Sequence, residues 1–183
     1  MGSKIRTIEE QLVYSDPDNP WLKLYFDRVE FPNGSSGRYN KIIEGTGDPG
    51  VAVLPISSIG VGLVRQYRYA IAEQVWEIPR GYGDSADPAG EARRELLEET
   101  GLQPVELIDL GMIHPNSAVL ATRIALYAAK CKPNAARPAI DGHEQLELKW
   151  FAIEDAMAAV DTGRIADAIT LSALLRARLR GLI

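Results

Sequence analysis

Cysteine and histidine are scarce in this sequence of 183 residues, which contains one cysteine and two histidines. Cys131 has no second cysteine with which to form an intramolecular disulfide. Cys131, His114 and His143 together cannot supply the four ligands of a structural zinc site of the usual kind. We therefore expect neither a disulfide framework nor structural zinc, and such sparing use of thiols fits the reducing cytoplasm.

Long apolar runs and basic tracts are equally absent from the sequence. No apolar stretch approaches the roughly 20 residues that span a bilayer, and the start MGSKIRTIEEQ has no apolar core typical of a signal peptide. The formal net charge is -5, with no lysine and arginine tract to pair with phosphates. We expect a cytoplasmic protein that binds neither nucleic acid nor membrane.

Two parts of the chain differ in pattern. WLKLYFDRVEF and RYNKIIEG alternate on either side of the turn-forming PNGSSG, which predicts two strands joined by a hairpin-like connection. We expect residues 1–48 to form a small β appendage and residues 49–183 to form the main domain. The hydrophobic content of 46% and the charged content of 25% are typical of globular proteins.

The main domain contains both strand and helix patterns. Strands are predicted at VAVLPI, VGLVRQYRY, QVWEIP, VELIDLGMI, RIALYAAKC and LELKWFAI. Helices are predicted at AGEARRELLEET, EDAMAAVDTG and IADAITLSALLRARLRGL. The first helix has Asp87 and Pro88 at its start and Gly101 at its end, where caps are favoured. With about eight strands in all, the pattern predicts an α/β protein.

Glutamates are crowded on the helix AGEARRELLEET. Glu95 lies one turn from both Glu98 and Glu99, and Glu91 lies one turn earlier on the same side. Like charges at this spacing cost roughly a few tenths of a kcal/mol each, and the helix dipole disfavours anions near the C-terminus. Either the adjacent arginines neutralise a solvated face, or a hard divalent cation takes oxygen ligands from Glu95 and Glu99. Magnesium is the favoured ion, with manganese as the alternative.

The run from Arg94 to Leu102, RELLEETGL, resembles the second half of the Nudix box, REUXEEXGU, in which U is an aliphatic residue. Every fixed position of that half is present. The resemblance implies a Nudix-type α/β/α sandwich around a mixed β-sheet. It also implies that Glu95, Glu98 and Glu99 bind the metal ion and that Arg94 and Glu98 belong to the catalytic machinery.

The first half of the box departs from the family pattern. The family has a glutamate where this chain has Ala86 and a glycine where it has Arg80, and Gly81 supplies the glycine only if the loop is one residue short. Glu91 lies on the helix face where it could assist metal binding. The missing glutamate motivates an alternative function, a catalytically impaired Nudix domain that acts as a nucleotide-sugar binding or regulatory module.

The stretch VLPISSIGVGLVRQYRYAIAEQVWEIPRG resembles the ADP-ribose pyrophosphatase branch of the family, in which Gln-aromatic-Arg and Glu-aliphatic-Pro-X-Gly motifs recur. Arg68 matches the phosphate-contacting arginine of that branch, and a guanidinium can bind a diphosphate by two parallel hydrogen bonds. The resemblance implies that Arg68 binds substrate, with Arg65 as a second candidate. The substrate would be a small molecule linked to a nucleoside diphosphate, with an ADP-sugar as the leading class.

A glutamate on the loop before the last strand often supplies the water-activating base in this branch. Here the loop reads IDGHEQLELKWF, with Glu144 and Glu147 as candidates. Glu144 is favoured because it stands in the irregular part, whereas Glu147 alternates with Leu146 and Leu148 as on the solvent side of a strand. An exposed glutamate without a catalytic role is the alternative for both.

The amino-terminal appendage of this branch is exchanged between the subunits of a homodimer and offers aromatic faces to the adenine. The resemblance therefore implies a homodimer. Trp21, Tyr25 and Tyr39 are candidates for stacking on the base, which contributes roughly 1 to 3 kcal/mol, and core packing is the alternative for each. In HPNSAVLATR, Thr122 replaces an acidic residue common in ADP-ribose enzymes, which allows a substrate other than ADP-ribose.

Overall fold

The computed structural model describes residues 4–82, 87–133 and 147–183. The chain divides into two compact units. The first unit consists of residues 1–48 and 114–123, and the second unit consists of residues 49–113 and 124–183.

The first unit is built on a four-stranded antiparallel sheet. Its strands are β1 (Arg6–Glu9), β2 (Leu12–Asp16), β3 (Asn19–Glu30) and β4 (Ser36–Glu44). β3 is long enough to pair with all three of the others. The predicted strands WLKLYFDRVEF and RYNKIIEG correspond to β3 and β4. β1 and β2 were not predicted, because nearly all their side chains are exposed and provide no apolar alternation.

The second unit contains a seven-stranded mixed sheet. Its strands are β5 (Gly50–Ser57), β6 (Gly60–Arg68), β7 (Glu73–Glu77), β8 (Arg80–Tyr82), β9 (Glu106–Ile113), β10 (Ile124–Lys130) and β11 (Glu147–Phe151). The central order is β11-β6-β5-β10-β9, with β7 paired to β6 and β8 paired to β5. β5 and β10 are parallel, whereas the other pairs are antiparallel.

Helices cover both faces of this sheet. They are α1 (Pro88–Thr100), α2 (Ile153–Asp161) and α3 (Ala168–Leu179). Successive side chains of β5 point to opposite faces: Val53 packs in one apolar cluster with Leu96 of α1, and Leu54 packs in another with Ala173 of α3. The predicted α/β/α sandwich around a mixed sheet is confirmed. Among the described residues, the helices are all too short or too polar to cross a membrane.

The helix α1 begins and ends where its sequence predicts. The Asp87 carboxylate accepts a hydrogen bond from the Gly90 backbone N–H at 3.1 Å, so Asp87 is the N-cap, and Pro88 follows it. Gly101 adopts a left-handed conformation with a φ of 70°, and its N–H donates to the carbonyl of Leu97. Both predicted caps are confirmed.

Candidate active site

The glutamates of α1 surround one arginine. Arg94 Nη1 lies 2.7 Å from Glu98 Oε2, and Arg94 Nη2 lies 2.7 Å from Glu91 Oε2 and 2.6 Å from Glu95 Oε1. The hydrogen bond to Glu91 and the charges of the other two carboxylates raise the pKa of Arg94. Arg94 therefore remains charged and neutralises part of the acidic face.

Glu95 is the buried member of this cluster. Its carboxylate lies against the α-carbon of Gly81 in β8, where a Cβ atom at residue 81 would come within 2.6 Å of both carboxylate oxygens. Burial raises the pKa of Glu95, and Arg94 acts in the opposite direction. A side chain at position 81 would therefore force the Glu95 carboxylate to move away from β8.

Glu99 contacts the same strand one residue earlier. The backbone N–H of Arg80 donates to Glu99 Oε1 at 3.4 Å. Glu95 and Glu99, one helical turn apart, thus both lie against β8, at the adjacent residues Arg80 and Gly81. Glu98 is exposed and pairs with Arg94. The structure brings together the two carboxylates for which we predicted a cation.

The donor chemistry of these glutamates fits a hard divalent cation, because Mg²⁺ and Mn²⁺ prefer oxygen ligands. Within residues 4–82, 87–133 and 147–183, no three histidine, cysteine, aspartate or glutamate side chains are arranged to hold a metal ion by themselves. Mg²⁺ is commonly bound by one or two carboxylates together with substrate phosphates. Glu95 and Glu99, which contact adjacent residues of β8, suit that mode of binding.

Arg68, the predicted phosphate ligand, already binds a carboxylate. Its Nε lies 3.2 Å from Glu77 Oε2, and its Nη2 pairs with Glu77 Oε1. Burial raises the pKa of Glu77, against the opposing effect of Arg68 and Arg80. Arg68 is the last residue of β6, and the sequence did not reveal Glu77 as its neighbour.

Arg65 and Glu147 lie opposite each other on the paired strands β6 and β11. Arg65 Nη1 is 4.0 Å from Glu147 Oε2, and its guanidinium stands 5.8 Å from the centre of the Trp76 ring. Glu147 is the first residue of β11 and is exposed, as its alternation with leucines indicated. Glu144, Ala86 and their loops lie outside the described residues.

A further pair of charged residues beside the site was not recognised from the sequence. Arg80 Nη2 lies 2.8 Å from Glu77 Oε2, and Arg80 Nη1 lies 3.0 Å from Asp167 Oδ1. Asp167 is the N-cap of α3 and accepts hydrogen bonds from the N–H and the hydroxyl of Thr170, both at 2.8 Å. The sequence features that could have pointed to this pair were an arginine directly before Gly81 and an aspartate near the start of a predicted helix.

The aromatic candidates of the first unit differ in exposure. Trp21 is 53% exposed and Tyr39 is 44% exposed, so neither is a core residue. Tyr25 is partly buried, and Lys41 Nζ stands 4.5 Å from the centre of its ring. The buried Thr122 donates its hydroxyl to Glu44 Oε2 at 3.0 Å. Surface positions for Trp21 and Tyr39 are compatible with stacking or with subunit contact.

Comparison with known proteins identifies the family. The NUDIX domain model matches residues 47–173 of this chain. The match covers most of the chain and includes β5 to β11 and the carboxylate helix α1. The chain therefore belongs to the Nudix family, as the RELLEETGL run indicated, and is a Nudix hydrolase.

Two curated relatives and one solved structure are similar over most of their lengths. The chain is 27% identical to the ADP-ribose pyrophosphatase of Bacillus subtilis (strain 168), over 92% of this chain and 90% of that protein. It is 26% identical to the CMP-5'-(N-acetyl-N-hydroxy-3-aminopropyl)phosphonate hydrolase of Streptomyces rubellomurinus (strain ATCC 31215), over 86% and 76% respectively. A crystal structure of an ADP compounds hydrolase superimposes with a TM-score of 0.82 at 21% identity, over 98% of this chain and 96% of the other, which supports the fold.

Proposed function

We propose that this Nudix hydrolase cleaves the diphosphate linkage of a small molecule joined to a nucleoside diphosphate, by metal-assisted attack of water. The leading substrate class is an ADP-sugar such as ADP-ribose. The observation that carries the proposal is the contact of Glu95 and Glu99 with adjacent residues of β8, since two carboxylates that meet the same strand segment suit a hard cation that also binds substrate phosphates. Mg²⁺ is the expected cofactor, with Mn²⁺ as the alternative, and we propose the cytoplasm as the site of action.

The similar proteins support the class of reaction more strongly than the identity of the base. One of them is named for ADP-ribose and the other for a CMP-linked phosphonate, and both are named as hydrolytic enzymes. An impaired binding module is therefore not favoured. Because the named nucleotides carry different bases, the adenine preference depends on the branch resemblance of the sequence.

The proposed roles follow from charge and position. A bound Mg²⁺ would neutralise part of the diphosphate charge and lower the pKa of a water molecule. Glu95 and Glu99 would hold the ion together with Glu98. Arg94 keeps the carboxylates of Glu91, Glu95 and Glu98 in place through its three ion pairs, which is the catalytic role we assign to it.

The remaining roles concern the substrate and the water. In this proposal Arg68 contacts a phosphate through Nη1, because its Nε and Nη2 bind Glu77, and Arg65 is a second phosphate ligand. Glu144 would accept the proton of the attacking water, with Glu147 as the alternative base. Water adds to one phosphorus while the bond from that phosphorus to the bridging oxygen breaks, so two monophosphates are released.

The test is a panel of ADP-ribose, other nucleotide sugars, dinucleotides and nucleoside triphosphates, each incubated with Mg²⁺, Mn²⁺ or EDTA. Products are separated by chromatography, and monophosphates are detected as phosphate released by added alkaline phosphatase. We expect metal-dependent conversion of one nucleoside-diphosphate-linked class into two monophosphates. We expect Glu99→Gln to lower kcat by at least about 10- to 100-fold, the range typical even for residues that only orient metal ligands.

Glu154→Gln provides the control, because Glu154 lies in the first turn of α2 and outside the proposed site. It should keep wild-type kcat. Metal-dependent turnover that survives Glu99→Gln would contradict the metal role. Failure of the wild-type protein on the whole panel, combined with thermal stabilisation by one nucleotide sugar, would replace the hydrolase with the binding module.

A further inference from the structure

Four charged side chains next to the proposed site form one connected network in the second unit. Glu77, which is 1% exposed, is its centre and binds Arg68 on one side and Arg80 on the other. Arg80 also binds Asp167 at 3.0 Å. The two arginines and the two carboxylates balance in charge, so burial leaves no uncompensated ion.

The two carboxylates of the network are linked to each other through the start of α3. Asp167 is held by the N–H and the hydroxyl of Thr170 at the start of α3. The Thr170 hydroxyl in turn accepts a hydrogen bond from the backbone N–H of Ile78, at 3.0 Å. Because Ile78 follows Glu77 directly, Arg80 is fixed between two carboxylates that are themselves tied together through the start of α3.

The backbone of Arg80 lies at the carboxylates that we propose as metal ligands. Its N–H donates to Glu99 Oε1 at 3.4 Å, and the next residue, Gly81, is the one against which Glu95 packs. The side chain of Arg80 is therefore fixed to Glu77 and Asp167, while the main chain at residues 80 and 81 contacts both proposed ligands. A shift of this strand segment would move the surface on which Glu95 and Glu99 rest.

We propose that Arg80 is a positioning residue: by bridging Glu77 and Asp167 it fixes the β8 backbone against which the Glu95 and Glu99 carboxylates rest. The inference rests on the proposed function of this site. The geometry calls for arginine, because the two terminal nitrogens of one planar guanidinium reach Oε2 of Glu77 and Oδ1 of Asp167 separately. A lysine keeps the charge but has a single nitrogen for both partners.

The first experiment measures Mn²⁺ affinity without substrate, by the loss of the free-ion electron paramagnetic resonance signal, in the wild-type protein and in Arg80→Lys. Substitution of a residue that orients metal ligands typically lowers metal affinity or activity by about 10- to 100-fold. We expect Arg80→Lys to weaken Mn²⁺ binding by about tenfold and to lower kcat by a similar factor. KM measured at saturating metal should change by less than about threefold, because substrate contacts remain.

A second variant guards against simple failure to fold. Asp167→Asn removes the charge that holds Arg80 but keeps an excellent N-cap for α3. We expect it to weaken Mn²⁺ binding in the same direction as Arg80→Lys, by a smaller factor. The double variant should be no weaker than Arg80→Lys alone, because both substitutions act through the same bridge.

The matched control is Arg176→Lys. Arg176 is on α3 and donates to the carbonyls of Leu110 at 2.8 Å and Met112 at 3.0 Å, so this change also removes an arginine bridge in the same unit. It should lower Tm and leave Mn²⁺ affinity unchanged. If Arg80→Lys behaves like this control, with lower Tm but wild-type Mn²⁺ affinity and kcat, the positioning role is wrong while the proposed function stands. A wild-type protein that binds no Mn²⁺ and turns over no substrate would overturn both.

Discussion

A side chain at Gly81 could be accommodated only if Glu95 moved, because the Glu95 carboxylate occupies the position that a Cβ atom would take. We expect Gly81→Ala to displace Glu95 from β8 and to lower kcat by about tenfold or more. Steady-state kinetics at saturating Mg²⁺ test the prediction, with circular dichroism to show that the fold persists. The displaced group is the Glu95 carboxylate, so the metal affinity of the protein should fall in parallel.

Gly34→Ala is the control for this substitution. Gly34 has a φ of +83°, and a Cβ atom added there would meet nothing within 4 Å, so alanine introduces backbone strain of about 1 kcal/mol without displacing a neighbour. It should lower stability slightly and leave kcat unchanged. Wild-type turnover by Gly81→Ala would show that Glu95 does not need its present contact.

Cys131 is 8% exposed, and burial raises the pKa of its thiol to about 11. The thiolate is the reactive form, so little of it is present at pH 8. We expect iodoacetamide to modify native Cys131 at least about 100-fold more slowly than the chain unfolded in guanidinium, since two pKa units correspond to that factor. Mass spectrometry of timed samples measures both rates.

The raised pKa of Cys131 also makes the stability of the protein depend on pH. Because the folded-state pKa lies above the ordinary thiol value of 9.0, the native state binds the thiol proton more tightly than the unfolded state does. The contribution to stability is present below pH 9 and is lost as the pH rises towards about 11. Cys131→Ala removes this dependence, so the difference in stability between wild type and variant should shrink over that range; a constant difference would contradict the shift.

At the scale of the element, α1 was predictable and several strands were not. The helix is specified by residues close in sequence: Asp87 caps it, Pro88 begins it, and Gly101 ends it in a left-handed turn. β8 has only three residues, too few to show a period. α3 begins at Ala168 rather than at Ile165 because Asp167 caps it, although the apolar spacing extends further towards the N-terminus.

The partners of the charged site residues could not be predicted from the sequence, because they are far apart along the chain. Arg80 and Asp167 are 87 positions apart, and only the packing of α3 on the sheet brings them together. The carboxylates of α1 were recognisable because the helical repeat alone puts them on one face. Their contact with β8 depends on how α1 packs against the sheet, and the sequence analysis did not predict it.

The N-cap of α1 contributes measurably to the stability of the protein. Asp87→Ala removes the hydrogen bond to the Gly90 N–H and should lower the free energy of unfolding by about 1 kcal/mol. Asp87→Ser keeps a side-chain acceptor at the N-cap and should lower the free energy of unfolding by only roughly a few tenths of a kcal/mol. Guanidinium unfolding followed by circular dichroism compares the two. Equal losses in both variants would mean that Asp87 contributes to stability through something other than capping.

At the scale of the whole molecule, the second unit is organised around one sheet that has apolar residues on both faces. Val51 and Val53 pack towards α1, while Ala52 and Leu54 pack with the helices of the opposite layer. A strand buried on both faces has a continuous apolar sequence, which is why VAVLPI could be recognised as central. The same burial on both sides fixes where α1, and therefore Glu95, lies.

The first unit has a different balance of buried and exposed apolar residues. Among its described residues, the large hydrophobic side chains with more than a third of their surface exposed are Ile5, Ile8, Leu12, Val13, Tyr14, Trp21, Phe26 and Tyr39. Isolated exposed apolar residues are ordinary, but a concentration of them on one small sheet and in the residue before it, Ile5, indicates a surface that another molecule covers. We propose that a second copy of the chain covers it, as the predicted homodimer requires.

This assembly predicts a mass of twice the 20.1 kDa of the chain in size-exclusion chromatography with light scattering. Trp21→Glu places a charge among these exposed apolar residues and should shift the protein towards the monomer at micromolar concentration, because an unpaired charge buried in an interface costs several kcal/mol, roughly. Leu179→Glu is the control, since Leu179 is exposed at the end of α3 in the second unit. A monomeric wild type would refute the homodimer, whereas a dimer equally resistant to both substitutions would place its interface away from Trp21.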